Sequence, residues 1–463
     1  MTSVEIAKQT AKWESELHRM SETAEYLDFY YNRQEDYIKA EIKEKYPKIY
    51  QDLYKYIGTY PLTETITNDT SLLFTQPCVL KFDGLSETQN ELLKTAIDKS
   101  QINKYLLTLN RLTNLTFKVG ILPRYVDGKI VYDILTGDRV WVEQNPDDCT
   151  QATDVYYSIG IAVDSPHQVD KVCTFMHWTK EYYAKCDINV KNGAFLPGKV
   201  DYDKKPNPYG YIPITWFSSD VELDSFWFDK GNPVVEANEQ GDLDLTNLNL
   251  IKDFQAFSLL VTNGLPEDKT IPFSPQYFLN FPGTFDGKPS GDAKYITPSP
   301  MITEIWQIMN DQNTNIAKMK GLSADAFNRN TTSFNSGYQL RLSKQDALNK
   351  NILDRELYRE PIKQLVQTIA DTLTIYSDYQ MPKDIMITVD FGEVKFDSNP
   401  LEVEQIRATK KANGTANVID FIMEDNPDIT TREEAIILYQ QRQAELTALN
   451  ITNQMAQALD VET

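Results

Sequence analysis

Histidine and cysteine are scarce: the 463 residues include three of the first and four of the second. Cys78, Cys149, Cys173 and Cys186 stand far apart without C-x-x-C spacing, so buried free thiols are expected, with a zinc site or a disulfide as the lesser alternatives. His18, His167 and His177 form no H-E-x-x-H pair, and neither a G-x-S-x-G elbow nor a nucleophile-with-base spacing occurs. No apolar run approaches the ~18 residues of a membrane span; the longest, such as Phe257 to Val261, are core-sized. The first residues, Met1-Thr-Ser-Val-Glu-Ile, lack a basic-then-apolar leader, so export by that route is not expected. Basic residues are also in deficit: 46 Lys and Arg stand against 67 Asp and Glu, a net charge of −21. That balance argues against grip on nucleic acid through phosphate neutralisation and against binding to an anionic membrane.

What is present is globular. Hydrophobic residues make up 41% and charged residues 24%, and the length predicts two to four domains or one large body with appended lobes. No internal repeat is visible. The first 60 residues hold nine of the 26 tyrosines, and spacings such as Tyr26-Tyr30 and Tyr46-Tyr50-Tyr54 place rings on one helical face. That stripe suits a core or a subunit interface. Pro47 is expected in the first turn of a second helix, ended by Gly58 and Pro61.

A helical block over 86–110 gives way to period-two patterns at Leu115–Val119, Ile130–Ile134, Arg139–Val142 and Val155–Ile159, turning at Asp127-Gly128 and at Thr136-Gly137-Asp138. Residues 172–178 and 181–185 predict a further hairpin. Prolines 206, 208 and 213 forbid helix before an apolar strand that Gly210 turns into. Helix is then expected from Asp242 to Val261, with Asp242 and Asp244 at its positive end. Residues 264–300 are rich in Pro and Gly, and helix returns over Met301–Lys320, stopping at Gly321. A polar stretch to Gly337 precedes a long helix from about Tyr338 to Tyr376, interrupted at Pro361, which should kink it. A strand over 384–394 follows, then a short helix from Asn399-Pro400 to Gly414, and a helix to Leu449 opened by a Thr430–Glu433 capping box.

Two nucleotide or metal motifs fail. Around Gly287-Lys288-Pro289, proline replaces the Ser/Thr of a phosphate loop, and the glycine required upstream is Pro282. Asp242-x-Asp244 starts like a calcium loop, but Thr246 and Asn247 occupy the next ligand and glycine positions. No cofactor or metal is expected. Carboxylate pairs that could do acid–base work are unavoidable by chance with so many acids, so the residues alone leave an enzyme open but unsupported.

The informative feature is the order of elements over 236–400: helix, Pro/Gly-rich excursion, returning helix, polar loop, long helix. Taken with Tyr30–Arg33, Asp133–Trp141, Pro208–Phe217, Phe257-Ser258, Asn335–Gly337 and Ile385–Phe391 before Pro400, this order resembles the portal proteins of tailed double-stranded DNA bacteriophages. The resemblance covers most of the chain, through motifs that are individually short. It implies an α+β ring subunit: a wing over 1–235 and 338–400, a two-helix stem over 236–263 and 301–320, a clip over 264–300, a tunnel loop over 321–337 and a helical crown over 401–463. It further implies a typically dodecameric homo-oligomer at one vertex of the virion, made in the host bacterial cytoplasm. Its partners would be the major capsid protein, scaffolding protein, terminase large subunit and head-completion, adaptor or tail proteins. Double-stranded DNA would pass non-specifically, and no membrane is involved.

Under that mapping Asn328, Arg329, Asn330, Thr331 and Thr332 face DNA, with Arg329 the only charge between Asp325 and Arg341. Gly321, Gly337 and Pro361 are hinges. Phe273, Tyr277, Phe278, Phe281 and Lys288 serve clip docking, the aromatics otherwise forming the small core of that lobe. The acidity suits a channel through which DNA slides without sticking. The alternatives are another virion connector or collar subunit, or an acidic carboxylate- or metal-dependent enzyme.

Overall fold

The computed structural model describes residues 3–161, 170–191, 194–195, 200–255, 259–263, 292–296, 302–322, 345–392, 400–426, 429 and 431–444. The fold is mixed α+β. The first helices are α1 (Ser3–Tyr30), α2 (Glu35–Lys45), α3 (Tyr50–Leu53, extended by a 3₁₀ turn) and α4 (Leu62–Thr70). Pro47 falls in the turn between α2 and α3, not inside a helix. Arg19 pins α1 to the sheet region: its guanidinium donates to the carbonyls of Gly137 (2.9 Å) and Val140 (2.8 Å) and lies 4.1 Å from the Trp227 ring centroid. A Cβ at position 137 would stand 2.9 Å from that guanidinium, so Arg19 would have to shift to admit one.

Strand β1 (Val79–Asp83) leads to α5 (Glu87–Ser100), opened by a reciprocal Ser86–Gln89 capping box. Gln101, left-handed at φ 55°, separates it from α6 (Ile102–Thr116), so the expected single block is two helices. The helix consumes residues 115 and 116, which were expected in a strand; β2 begins only at Lys118 and runs to Val126. Asp127 (φ 50°) and Gly128 (φ 79°) then give the double positive φ of a tight hairpin turn into β3 (Lys129–Thr136).

Strands β4 (Val140–Asn145), β5 (Asp148–Ile161), β6 (Asp170–Thr179) and β7 (Tyr182–Lys191) form an antiparallel meander. Both β8 (Ala194–Phe195) and β9 (Val200–Pro206) pair with different stretches of β7. Strand β10 (Thr215–Ser218) joins β2 and β3 in a separate three-stranded sheet. Inside the meander, His177 is buried, stacked 4.0 Å from Tyr156 and bonded through Nε2 to Asp154 at 2.9 Å. Cys78 and Cys149 are free thiols, and Cys186 is buried.

Helix α7 spans Pro233–Gln255, strand β11 Leu259–Asn263, strand β12 Asp292–Ile296, and helix α8 Ile302–Met319. Two expectations are corrected here. The helix starts nine residues before Asp242 and ends before Val261, which lies in β11, paired antiparallel with β12. Asn232 caps α7 by accepting from the N–H of Val234 at 3.1 Å, and Pro233 takes the first helical position, where its missing N–H costs nothing.

Helix α9 (Gln345–Tyr376) is continuous through Pro361, so the expected interruption there does not occur; residues 338–344 lie outside the described residues. Tyr358, Ile362, Leu365, Val366, Ile369, Ala370 and Leu373 repeat at helical spacing, and all are buried. With α1, α5, α6, β1–β3 and β13 (Met386–Asp390) they form the principal core. Strand β13 pairs antiparallel with β1.

The chain divides into two units, the second holding the described residues from 400 onward. It consists of α10 (Pro400–Ala412), α11 (Val418–Asp425) and α12, a helix over residues 432–444. Gly414 (φ 67°) closes α10, the N–H of Thr415 bonding Lys410 O and that of Gly414 bonding Lys411 O. Arg407 pairs with Asp425 and lies over Phe421. The cap of α12 is Thr431 with Glu434, one residue beyond the expected pair.

Candidate functional site

Helices α7 and α8 pack together within the first unit, and the way α7 is attached to the body is unusual. Four of its side chains, Asn238, Asp242, Thr246 and Asn249, recur about once per turn and form a polar stripe. The segment 56–63 lies along that stripe, its backbone bonded by side chains instead of by another strand. Asn249 Nδ2 donates to Tyr56 O (3.1 Å), and Gly58 N–H donates to Thr246 Oγ1 (3.1 Å). Tyr60 N–H donates to Asp242 Oδ1 (2.9 Å), while Asn238 receives the N–H and hydroxyl of Thr63 (both 2.9 Å) and donates to Tyr60 O (3.1 Å). Two glycines permit the approach: a Cβ at 58 would meet Leu245 Cγ at 2.6 Å, and one at 241 would meet the Tyr60 hydroxyl at 2.0 Å. That hydroxyl crosses to the second helix and donates to Asn313 Oδ1 at 3.0 Å. Apolar contacts flank the stripe on both sides, with Ile38, Ile42 and Leu53 beside Leu243 and Leu250, and Leu62, Ile66 and Val234 beside Ile316.

Asp242 is the chemically distinctive member. It is fully buried in mid-helix, and burial raises its pKa to about 7; the Tyr60 N–H and Gln34 oppose the rise and the nearby Glu239 adds to it. Tyr60 is pushed to about 12, chiefly by burial. Acidic residues outnumber basic ones seven to two over α7 and α8 together.

Helix α8 is supported on little of its surface. Met309 and Ala317 are buried, whereas Trp306 (54% exposed), Ile308 (53%) and Met319 (71%) present apolar side chains to solvent. Among the described residues nothing covers these apolar side chains. It ends in a two-bond left-handed cap: Gly321 at φ 77°, with the N–H of Leu322 on Ala317 O (2.9 Å) and that of Gly321 on Lys318 O (3.0 Å). The residue expected as a hinge is therefore the terminator of α8. Pro361 lies on α9 at the wall of a cavity of about 730 Å³, together with Lys118, whose ammonium is paired to Glu222 at 2.8 Å under the Phe226 ring. Another cavity, about 750 Å³, lies between β2–β3 and β5–β6, walled by Tyr157, Trp178, Tyr183 and Tyr209 with the Arg124–Asp133 ion pair. Among the described residues no three His, Cys, Asp or Glu side chains converge as a metal would require. No helix there is long and apolar enough to cross a membrane.

The expected DNA-facing residues Asn328, Arg329, Asn330, Thr331 and Thr332, the hinge Gly337, and the docking residues Phe273, Tyr277, Phe278, Phe281 and Lys288 all lie outside the described residues. Sequence reasoning missed the polar stripe. The signal was available as Asn, Asp, Thr and Asn at near-helical intervals in a helix otherwise rich in leucine, but Asp242 and Asp244 drew attention to a helix start instead.

No protein-family model matches the sequence, and no curated protein matches it. One solved structure with a similar backbone is a chain from the virion of a native gene transfer agent particle. It is 13% identical with a TM-score of 0.42, over 81% of this chain and 92% of that one. Likeness of that degree assigns neither family nor activity.

Proposed function

We propose that this chain is a virion structural protein, and specifically a portal subunit whose ring forms the channel for double-stranded DNA at one vertex of a phage-type capsid. The observation that carries the reading is the α7–α8 pair: two adjacent helices joined through an excursion, anchored to an α/β body at the 56–63 segment, with exposed apolar side chains on α8. In a ring, each α8 would be covered by the neighbouring copy, through a heterologous interface that closes by rotation. The acidic balance of the pair suits a wall along which DNA slides, because fixed negative charge opposes the counterion release that makes DNA binding tight.

Under this reading the excursion between β11 and β12 carries docking for the packaging motor and later for head-completion or tail proteins. Residues 328–332 approach DNA, and Gly321, Gly337 and Pro361 set the freedom of the loop and long helix. The role is mechanical, with no bond-making step assigned to the chain.

Negative-stain microscopy with light-scattering mass tests it. The expected result is a ring of about twelve subunits with an axial opening. Trp306→Ser together with Ile308→Ser should reduce assembly while leaving a folded subunit. A compact dimer under every assembly condition, including the presence of capsid and scaffolding proteins, would overturn the reading.

A further inference from the structure

The cavity of about 750 Å³ between β2–β3 and β5–β6 takes no part in the attachment of α7, and its walls are distinctive in composition. Six tyrosines, Trp178 and Met176 line it together with Arg124 and Arg139, and the lining contains no lysine or glutamate. Tyrosine, tryptophan, methionine and arginine are enriched at the centres of protein–protein contacts, where lysine and glutamate are depleted. The volume falls in the range of ligand pockets, roughly 300–1,000 Å³.

The aromatic wall is braced from within the chain. Trp178 stacks on Tyr183 at 4.7 Å with the ring planes 18° apart, and Tyr209 meets Trp178 edge-on at 6.3 Å. The Tyr209 hydroxyl is itself fixed to Thr372 Oγ1 on α9 at 3.0 Å. Rings already locked in this way lose little freedom when a partner seats against them. Tyr157 and Trp178 are buried, whereas Val126, Ile159 and Tyr376, which also line the cavity, are exposed. Apolar surface therefore continues outward from the cavity and offers contact to more than one side chain of an incoming segment.

The charges decide what kind of segment. Asp133 is the only acid of the lining, and Arg124 holds it at two points, Nη2 to Oδ1 at 2.7 Å and Nε to Oδ2 at 2.5 Å. Arg139 is left over. Its side chain is 53% exposed, and its one ion pair among the described residues is a 3.9 Å contact with Asp138, whose other carboxylate oxygen accepts from Thr136 Oγ1. A surplus guanidinium beside an aromatic cavity, in a chain of net charge −21, selects for a carboxylate.

We propose that this cavity is a docking site for an acidic segment of a partner protein. One apolar or aromatic side chain of the segment seats against Tyr183 and Tyr209, and a neighbouring carboxylate pairs with Arg139. The inference stands on this cavity alone and does not depend on the role proposed above.

A random twelve-residue peptide library, displayed on yeast and selected against the full chain, tests it. The selected peptides should carry Asp or Glu within a few residues of Leu, Phe, Tyr or Trp. Fluorescence anisotropy with the best of them as a free synthetic peptide should show binding weakened about ten-fold or more in Tyr183→Ala and in Arg139→Glu. Arg139→Glu should also bind the same peptide, its acids replaced by lysine, better than the wild type does, a gain that an unfolded variant cannot show. Selected peptides without enrichment in acids, or affinity unchanged in both variants, would overturn the proposal. So would dissociation of the chain's own assemblies by the peptide in light scattering, because the occupant would then be a second copy of this chain.

Discussion

Helices α7 and α9 are both long and both central, yet they are held by opposite means. Helix α9 presents Tyr358, Ile362, Leu365, Val366, Ile369, Ala370 and Leu373 to the core, an attachment by area that tolerates small shifts in angle. Helix α7 presents Asn238, Asp242, Thr246 and Asn249 to a length of backbone, an attachment by direction that fails when donors and acceptors part. The first kind resists opening under most conditions. The second is specific in register. The difference teaches that the α9 side of the first unit is secured by buried apolar area, whereas the α7 side is secured by matched donors and acceptors.

The contrast can be attacked at three strengths. The largest effect is expected from Leu365→Ala, which leaves a cavity at a fully buried position and should cost about 2–5 kcal/mol in urea unfolding, independent of pH. A smaller loss, about 1–3 kcal/mol, is expected from Asn238→Ala, which strands the Thr63 N–H and the Tyr60 carbonyl. Its exchange signature should be confined to 56–63 and α7; a uniform loss of protection over α9 as well would show that the two attachments are one cooperative unit. The smallest is Thr246→Val, equal in shape but without the acceptor for the Gly58 N–H, at about 1 kcal/mol. If it matched Leu365→Ala in cost, the division between area and direction would be wrong.

Much of the scaffold was legible because local chemistry decides it. Asp127-Gly128 specifies its turn by positive φ, Gly414 and Gly321 end their helices in left-handed caps, and 386–390 alternates as a strand with one buried face. Other boundaries were hidden by tertiary context. Leu115 and Thr116 look strand-like, but Leu115 is wholly buried and its carbonyl receives the Asn232 amide at 2.8 Å, so the helix extends to meet it. Leu259–Asn263 pairs with Asp292–Ile296, too far along the chain for a local pattern to reveal. The capping pair of α12 was displaced by one residue because Thr430 and Thr431 both have an acid three positions on. The candidate site was harder still. Asp242 read as a helix-start charge, and its burial comes from a loop nearly two hundred residues away in sequence.

The β11–β12 pair has an evolutionary consequence. Antiparallel pairing brings Asn263 opposite Asp292, so the chain leaves and re-enters the α7–α8 pair at one place whatever lies between. Closing a longer insert there costs only about 0.6 kcal/mol for each doubling of its length. The intervening stretch can therefore be exchanged, lengthened or redesigned as a cassette while the two helices keep their geometry.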